Sequence, residues 1–553
     1  MVHTLLYLPD NERKSALQRV CHNSVKLYAR AILIHTFDLS QTVMTTHEIS
    51  LQTLGIVGAG AMGRGIAQVA ALAGLQVHLY DTNPDAAVTA RATLAATLEK
   101  LAAKGRLAQS EADAALARIV ACHSLKEFAD CDVVVEAIIE KLDIKCALLQ
   151  QLEAIVSPSC LLASNTSSLS ITALAAACKH PERVAGLHFF NPVPLMKVVE
   201  VIDGLRTDPR TTEALLQLVR AMGHAPVRAK DMPGFLVNHA GRGMNTEGLR
   251  IAGEGVASFA DIDRVMREQA GFKLGPFELL DLTALDVSHP VMESIYHQFY
   301  EEPRFRPSPI TAIRLAGGML GRKTNAGFYH YSEDGRQVPV PEPLAPFTLP
   351  SRVWVSRTHT AAFQAVCELI RAVGGKLDDA EHPAADSLIV VTPFGLDTTS
   401  AAVGEHLDPA RTVAIDALQP FAPGRRRTLM TSPATTHASR DAAHALFSAD
   451  GTPVTVIRDS AGFIAQRIIA MIVNIGCDIA QQRIATPHDI DLAVTLGLGY
   501  PMGPLALGDA FGAAQILLIL RNLQTLSGDP RYRPSPWLTR RAQLGLSLTC
   551  DES

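Results

Sequence analysis

A glycine-rich motif near residue 58 constrains the fold more than any other part of this sequence. The motif, Gly58-Ala59-Gly60-Ala61-Met62-Gly63, follows a β-rich segment, Thr53–Val57, and precedes a segment of helical composition, 66–75. A second strand-like segment, Gln76–Tyr80, leads into Asp81. Glycines between a strand and a helix, with an acidic residue after the next strand, are typical of a dinucleotide-binding βαβ unit. A glycine-rich turn in another kind of α/β protein is the alternative.

Each glycine of this motif has a mechanical role. Gly58 permits a tight turn, Gly60 lets the backbone approach a pyrophosphate, and Gly63 lets the helix pack closely on the strand. The helix N-terminus offers free N–H groups and the positive end of the helix dipole to phosphates. Asp81 would accept hydrogen bonds from a ribose and repel a 2′-phosphate. Because Thr82 and Asn83, and not an arginine, follow it immediately, the motif predicts NAD rather than NADP as cofactor.

The next segments continue an α/β pattern. Strand-like runs at 132–137, 160–163 and 184–188 alternate with helical stretches, including 86–103 and 141–155. Alternation of this kind predicts a mostly parallel sheet that binds ligands at the carboxyl ends of its strands. Three groups of polar residues follow these strands: Glu136 with Glu140, residues 164–168, and His188 with Asn191.

A histidine and a glutamate could form an acid–base pair at this edge. His188 ends an apolar run, and Glu200 lies inside the apolar segment 197–202. A carboxylate in such a segment is costly to bury without a partner. A glutamate can fix the tautomer of an imidazole, which titrates near neutral pH. We predict that His188 accepts the hydroxyl proton during oxidation of an alcohol by NAD; a purely structural histidine is the alternative.

Six ordered motifs across about residues 53–332 resemble the L-3-hydroxyacyl-CoA dehydrogenases. They are GAGAMGRGIA, VVEAIIEKLDIK, ASNTSSL, GLHFFNPVPLMKVVEV, KDMPGFLVN and GRKTNAGFY. The resemblance implies NAD-dependent oxidation of a (3S)-3-hydroxyacyl-CoA to the 3-oxoacyl-CoA, in fatty-acid or phenylacetate-type catabolism. Long bacterial forms act on short or dicarboxylic acyl-CoAs, such as 3-hydroxybutyryl-CoA and 3-hydroxyadipyl-CoA. The sequence does not choose between these substrates.

The resemblance also implies individual residue roles. His188 would be the general acid/base and Glu200 its orienting partner. Ser167 and Asn238 would form hydrogen bonds with the substrate oxygen and with the catalytic histidine. The residues expected to bind NAD are Gly58, Gly60, Met62, Gly63, Asp81, Glu140, Lys145, Asn191 and Lys323. From residue type alone, Ser167 and Asn238 could instead be helix caps and Lys323 a surface charge. One departure from the family pattern is His239, where an arginine is expected.

The second half of the sequence repeats the first at an offset of 228 residues. Residues 231–235 (DMPGF) recur as 459–463 (DSAGF), and 261–263 (DID) recur as 489–491 (DID). No GxGxxG motif occurs after residue 330. The same offset maps four predicted site residues onto different residue types: His188 onto Asp416, Asn191 onto Gln419, Glu200 onto Thr428, and Asn238 onto Gln466. We therefore predict a degenerate, non-catalytic second half.

These patterns predict an α/β Rossmann-type NAD-binding domain and an all-α domain, followed by a degenerate α/β segment and a second all-α domain. The expected segments are an extension of uncertain role (1–52), the Rossmann domain (53–230), a helical substrate or dimerisation-type domain (231–332), a Pro-rich linker (333–351), the degenerate α/β domain (352–457) and the second helical domain (458–553). The sequence leaves a monomer and a homo-oligomer open; in either, the second helical domain could replace a dimer partner.

Charge and cysteine content exclude several classes of protein. The net charge of −5 and the lack of a basic run argue against a nucleic-acid partner. Nine cysteines without a CxxC pair predict ordinary thiols in the cytoplasm, with no metal site. No apolar run approaches the ~18 residues of a membrane helix. Residues 1–43 show no signal-peptide pattern, and we interpret them as a non-essential extension rather than a transit peptide.

Two other functions stay open from sequence. A related dehydrogenase of a free hydroxy acid would use a similar His–Glu pair, and turnover of a CoA-free substrate would distinguish it. A non-catalytic NAD-binding scaffold is disfavoured by the intact predicted site. A full β-oxidation multienzyme is not expected, because residues 1–52 are too few for a hydratase domain.

Overall fold

The structure is a computed structural model that describes residues 51–342 and 345–551. The interpretation of residues 1–43 as an extension lies outside these described residues.

Eight strands form the sheet of the first half. They are β1 (Thr53–Val57), β2 (Gln76–Tyr80), β3 (Ile119–Ala121), β4 (Val133–Glu136), β5 (Leu161–Ser164), β6 (Val184–Phe189), β7 (Val198–Asp203) and β8 (Ala225–Lys230). Their order across the sheet is β3-β2-β1-β4-β5-β6-β7-β8. Every neighbouring pair is parallel except β6 and β7, which are antiparallel. The chain between β6 and β7 is too short for the crossover that a parallel pair needs.

Helices cover both faces of this sheet. They are α1 (Ala61–Leu72), α2 (Ala86–Ala103), α3 (Gln109–Ala117), α4 (Leu142–Glu153), α5 (Ile171–Ala176) and α6 (Pro209–Ala221). Successive side chains of a strand point to opposite faces. Accordingly, Leu187 of β6 belongs to one buried core and Val184 to the other. Burial on both faces explains why β4 and β6 have almost continuous apolar sequences.

A helical domain follows β8. Its helices are α7 (Val237–Ala240), α8 (Arg242–Gly253), α9 (Phe259–Arg264), α10 (Pro276–Thr283), α11 (Leu285–Gln298) and α12 (Pro309–Ala316). Two of its helical stretches, 237–253 and 259–269, are not regular α-helices throughout. The first breaks at Gly241, and the second continues as a π-helical turn, Val265–Gln269.

The second half repeats the succession of an α/β sheet followed by a helical domain, and its sheet is smaller. Its strands are β9 (Val353–Val355), β10 (Leu388–Val391), β11 (Thr412–Ile415), β12 (Arg427–Thr431) and β13 (Val454–Arg458), in the order β13-β12-β11-β10-β9. Its helices are α13 (Thr360–Ala372), α14 (Thr398–Gly404), α15 (His437–Phe447), α16 (Ala465–Gln481), α17 (Pro487–Leu498), α18 (Pro504–Phe511), α19 (Ala513–Ser527) and α20 (Pro536–Leu544).

Two aspartates show the repeat in atomic detail. Asp263 accepts hydrogen bonds from two backbone N–H groups at the start of α10, and Asp491 from two at the start of α18. A Cβ atom placed on Gly275 or on Gly503 would lie 2.2 Å from the corresponding aspartate. Both helical domains therefore use one capping device, which requires glycine directly before the helix.

The two halves are interlocked at the ends of their sheets. The N–H of Lys230, in β8, donates to the carbonyl of Ile484, 2.8 Å away. At the position related by the repeat, the N–H of Arg458 in β13 donates to the carbonyl of Val256, 3.1 Å away. The last strand of each sheet thus contacts the helical domain of the other half.

The two helical domains share one hydrophobic core with a buried ionic cluster inside it. Arg467 of α16 lies 2.7 Å from Glu247 of α8, and both side chains are almost fully buried. Glu247 also accepts a hydrogen bond from the hydroxyl of Tyr532. Since an unpaired buried charge is strongly destabilising, these contacts make each half dependent on the other.

No single helix within the described residues has both the length and the hydropathy needed to cross a membrane. The consecutive helices α18 and α19 meet these requirements only when taken together, and they are bent by 95° relative to each other.

Candidate active site and dinucleotide cradle

The loop between β1 and α1 is tightly packed at two glycines and open at the third. Gly58 has φ +108°, and a Cβ there would lie 2.5 Å from the carbonyl oxygen of Ala137. A Cβ on Gly63 would lie 1.8 Å from the carbonyl oxygen of Gly58. A Cβ on Gly60 would meet nothing within 4 Å. Gly58 and Gly63 are therefore required for the shape of the loop, while Gly60 leaves free space beside it.

The surroundings of this space suit a dinucleotide. No side chain within the described ranges caps the N-terminus of α1, so its N–H groups are available to a phosphate. Asp81 follows β2, and its carboxylate accepts a hydrogen bond from the N–H of Ala59, 2.8 Å away. Met62 lies in the first turn of α1, is partly buried and packs against the hydrophobic core on one side of the sheet. The predicted cradle residues therefore come together around the open position at Gly60.

The antiparallel pair β6–β7 places His188 directly opposite Glu200. Nδ1 of His188 lies 2.6 Å from one carboxylate oxygen of Glu200. The other oxygen accepts hydrogen bonds from the N–H groups of Leu236 (2.9 Å) and Val237 (2.8 Å). His188 is 5% exposed and Glu200 is fully buried. Both carboxylate oxygens are thus engaged, and Nε2 of His188 is left to exchange a proton.

The start of α7 is shaped so that it reaches this carboxylate. Gly234 and Phe235 both have positive φ angles, +75° and +47°, which turn the chain before the helix. The Phe235 ring packs 5.9 Å from the His188 ring, and the Phe190 ring lies 4.3 Å from it on centroids. The histidine is therefore held by the glutamate and by two aromatic rings.

A second polar cluster joins the ends of β4 and β5. Glu140 accepts hydrogen bonds from the Thr166 hydroxyl (2.6 Å) and from the backbone N–H groups of Ser167 (2.8 Å) and Ser168 (3.2 Å). The Ser167 hydroxyl also lies 3.3 Å from it. Burial raises the pKa of Glu140, but the Thr166 bond, the charge of Lys145 and the serine bonds outweigh burial and hold it below its usual value.

Lys145 links this cluster to a deeper carboxylate. Its ammonium group lies 2.8 Å from Glu136 and 3.3 Å from Glu140, and its side chain is almost fully buried. Glu136 accepts a further hydrogen bond from the Ser164 hydroxyl. The sequence placed Glu136 after a strand but assigned it no partner, because a lysine nine residues away carries no visible pairing pattern.

The structure brings some predicted residues together and separates others. Ser167 contacts Glu140, while Asn238 directly follows Val237, whose N–H bonds Glu200. Asn191 is exposed before a cis proline. Lys323 forms an ion pair with Asp286 in the first turn of α11.

The other end of α11 approaches the serine loop, since Gln298 donates to the carbonyl of Ser168. Twelve helical residues separate Asp286 from Gln298, which is roughly 18 Å at 1.5 Å per residue. The ion pair of Lys323 with Asp286 therefore lies at the opposite end of α11 from the residue that contacts the serine loop.

Sequence reasoning missed the role of Asn165. Its side-chain oxygen accepts a hydrogen bond from the N–H of Phe189, 2.8 Å away. This bond ties the loop after β5 to the end of β6, next to His188. Asparagine directly after a strand was visible in the sequence, but the acceptor and its donor are 24 residues apart.

The structure explains why His239 departs from the family pattern. The offset maps His239 onto Arg467, which pairs with Glu247. The residues related by the offset to Glu247 and by the repeat to Tyr532 are Ile475 and Phe305, which offer no carboxylate or hydroxyl. The His239 ring lies 5.1 Å from the Phe305 ring, and burial lowers its pKa to about 3. A neutral histidine thus fills an apolar site in which an arginine would be unpaired.

The equivalent of the His–Glu pair in the second half is a closed hydrogen-bond network. Asp416 and Thr428, onto which the offset maps His188 and Glu200, face each other across β11 and β12. Asp416 accepts hydrogen bonds from the side-chain amides of Gln466 (2.9 Å) and Gln269 (3.0 Å). The Thr428 hydroxyl donates to Gln269, 2.5 Å away. Asp416 is 2% exposed, and burial raises its pKa.

Comparison with known families classifies the chain. Residues 53–232 match the model of the 3-hydroxyacyl-CoA dehydrogenase NAD-binding domain. Residues 234–331 and 462–547 both match the 3-hydroxyacyl-CoA dehydrogenase C-terminal domain. The protein is an NAD-dependent dehydrogenase. It belongs to the 3-hydroxyacyl-CoA dehydrogenase family, which confirms the predictions of family, fold class and cofactor.

Some similar proteins match almost the whole chain, and others match only about its first half. The 3-hydroxyadipyl-CoA dehydrogenase of Escherichia coli K12 is 37% identical over 497 residues, covering 90% of this chain and 98% of that protein. A crystal structure of 3-hydroxybutyryl-CoA dehydrogenase from E. coli K12 has a TM-score of 0.78 at 35% identity and covers 89% of this chain and 98% of that one. The 3-hydroxybutyryl-CoA dehydrogenase of Bradyrhizobium diazoefficiens is 40% identical over 281 residues, 51% of this chain and 96% of that protein.

Proposed function

We propose that the chain oxidises the 3-hydroxyl of a (3S)-3-hydroxyacyl-CoA, with His188 as general base. The observation that carries this proposal is the buried His188–Glu200 pair, close to the end of a sheet whose first loop suits a dinucleotide. Bound NAD supplies the hydride acceptor. Nε2 of His188 takes the hydroxyl proton as the C3 hydrogen leaves as hydride, and it returns a proton to the 3-oxo oxygen in the reverse reaction.

Glu200 would act by orienting and stabilising the histidine. With one oxygen on Nδ1 and the other on two backbone N–H groups, the carboxylate fixes the ring and favours the imidazolium formed during the reaction. Ser167 and Asn238 would hold the 3-oxygen near Nε2.

Glu140 and Lys145 would contact the nicotinamide ribose, because they form a preorganised cluster at the ends of β4 and β5. Asn191 and Lys323 would add further cofactor contacts. For Lys323 this contact requires release from Asp286, with which it is paired here.

In this proposal the second half has a structural role and no catalytic one. Its Asp416 is enclosed by two glutamine amides, so the position equivalent to the catalytic histidine has no side chain free to exchange a proton. The contacts between α8 and α16 would replace those of a dimer partner and keep the chain monomeric. The enzyme would act in the cytoplasm on acyl-CoA, in fatty-acid or phenylacetate-type catabolism.

The similar proteins include a 3-hydroxyadipyl-CoA dehydrogenase and 3-hydroxybutyryl-CoA dehydrogenases. The acyl group of the substrate could therefore be a dicarboxylic chain or a short monocarboxylic chain. A related dehydrogenase of a free hydroxy acid is the second candidate, since it could use the same pair.

Oxidation of NADH with acetoacetyl-CoA, compared with free acetoacetate, tests the proposed reaction. Because the proposed substrate is held through its CoA part as well as its 3-oxygen, we expect turnover of the thioester and a far lower kcat/KM for the free acid. Equal kcat/KM for both compounds would favour the free-acid dehydrogenase. NADH binding without turnover of either compound would favour the scaffold.

A further inference from the structure

Arg242 is a buried positive charge with no carboxylate partner among residues 51–342 and 345–551. It lies in the first turn of α8 and is 6% exposed. Its Nε donates to the main-chain carbonyl of Asn238, 2.9 Å away. Its Nη1 is buried and has no hydrogen-bond partner among the described residues. Burial lowers the pKa of Arg242 to about 10, so the side chain stays charged at neutral pH.

A tyrosine from the second half lies in the electrostatic field of this arginine. Tyr500 follows α17 and is 4% exposed. Burial raises the pKa of its hydroxyl, and the charge of Arg242 opposes that rise. Within the part of the chain that the structure describes, the Tyr500 hydroxyl has no hydrogen-bond partner. Its ring is fixed against Phe272, with centroids 4.9 Å apart. Two buried donors therefore lack an acceptor in the same region.

The neighbouring segment of the second half packs against the proposed active site. A Cβ placed on Gly497 would lie 2.8 Å from the side chain of Val237, whose N–H bonds Glu200. A Cβ on Gly241 would lie 3.3 Å from the side chain of Leu498. The end of α17 is thus adjacent to the residues that hold the catalytic pair, and Tyr500 follows it by two residues.

The spacing between Asn238 and Arg242 suits a short dicarboxylic chain. Four helical residues correspond to a rise of about 6 Å. In a six-carbon 3-hydroxy diacid, three bonds separate C3 from the terminal carboxyl carbon, and three bonds span about 3.8 Å in an extended chain. The carboxylate oxygens and the arginine side chain extend the reach further. Although one helix ends and the next begins at Gly241, this glycine keeps right-handed helical angles (φ −61°, ψ −16°), so the rise of one turn applies across it. A substrate whose 3-oxygen lies at Asn238 can therefore bring its far carboxylate to Arg242.

We infer that Arg242 and Tyr500 bind the terminal carboxylate of a dicarboxylic 3-hydroxyacyl-CoA of about six carbons. This inference rests on the proposed function. A guanidinium group suits a carboxylate because it can donate two parallel hydrogen bonds, and a phenol hydroxyl can add a third. The bound carboxylate would neutralise the buried charge. The second half then contributes a specificity residue to the active site of the first.

Binding of two unreactive thioesters tests the inference without depending on catalysis. Adipyl-CoA ends in a carboxylate and hexanoyl-CoA in a methyl group, at equal chain length, and neither has a 3-hydroxyl. For the NADH-loaded full chain, calorimetry is expected to show adipyl-CoA binding roughly 10–100-fold more tightly, the range of charge-assisted hydrogen bonds. Arg242→Met is expected to abolish this preference and leave hexanoyl-CoA binding unchanged.

Controls separate recognition from folding. Arg336→Met removes an exposed arginine (side chain 85% exposed) and is expected to change neither affinity. Tyr500→Phe is expected to weaken only adipyl-CoA binding. Because Arg242→Met removes an unpaired buried charge, its Tm is expected to rise, whereas a structural role for Arg242 predicts a fall.

Equal affinity of the wild type for both thioesters, or an equal loss of both in Arg242→Met, would overturn the inference and leave the proposed reaction standing. Binding of neither thioester would contradict both.

Discussion

Replacing His188 by glutamine is expected to lower kcat for acetoacetyl-CoA reduction by about 10²–10⁴-fold, the usual contribution of a general acid or base. Glutamine can still donate a hydrogen bond to Glu200, but it cannot exchange a proton near neutral pH. Glu200 keeps its two backbone donors, Leu236 and Val237, so the fold around the site should persist. The dissociation constant for NADH should stay near its wild-type value, because the cradle around Gly60 is a separate structure.

His224→Gln is the matched control for this variant. His224 is also buried in the first half, and both of its ring nitrogens face main-chain carbonyls, those of Met222 and Val193. Its replacement is expected to lower Tm and to leave kcat near the wild-type value. Retention of kcat within tenfold of wild type in His188→Gln would show that His188 is not the general acid/base.

Deleting residues 350–553 is expected to yield an insoluble or newly dimeric product. The deletion removes Arg467 and Tyr532, which satisfy the buried carboxylate of Glu247. It also exposes the face of α8 where a Cβ on Gly243 would lie 2.9 Å from the main chain of Ile472. An unpaired buried charge is strongly destabilising, and a large exposed apolar face favours association.

Sedimentation of the truncated and full-length chains, each loaded with NADH, measures this effect. Full-length protein is expected to sediment as a monomer, because its own second half covers the face of α8. Arg467→Met in the full chain serves as a milder control, since it removes one partner of Glu247 but keeps the covering helix. A truncated protein that is monomeric, soluble and fully active would show that the second half is not needed to cover the first.

Local patterns in the sequence predicted the parts of the fold that depend on short-range physics. The bounds of β1, β2 and α2 agree with those of the two strand-like segments and the helical segment that were predicted from the sequence. The cradle follows from glycine spacing, and the facing of His188 and Glu200 follows once a short connection forces β6 and β7 to run antiparallel. In the second half, the offset maps this pair onto Asp416 and Thr428, and the structure shows that these two residues also face each other.

Contacts between distant segments could not be predicted in the same way. Strand β8 begins with Ala-Pro and has two basic residues among its last three, so its apolar pattern is weak and it was missed. Its hydrogen bond to Ile484 joins two domains, and no local pattern encodes it. The environment of Arg242 is similar, because Tyr500 lies in the other half of the chain. Closure of Asp416 by Gln269 likewise involves residues 147 positions apart.

The central claim is that the chain has a single active site, in its first half. The most direct test is to count the NADH-binding sites. Calorimetric titration of NADH into the full-length protein should give one site per chain. The first sheet has the open glycine loop at Gly60, whereas no GxGxxG motif occurs after residue 330. A stoichiometry of one, with turnover lost in His188→Gln, is the result that a single catalytic half predicts. Two equivalent sites per chain would contradict it, because the second sheet would then bind a dinucleotide by another device.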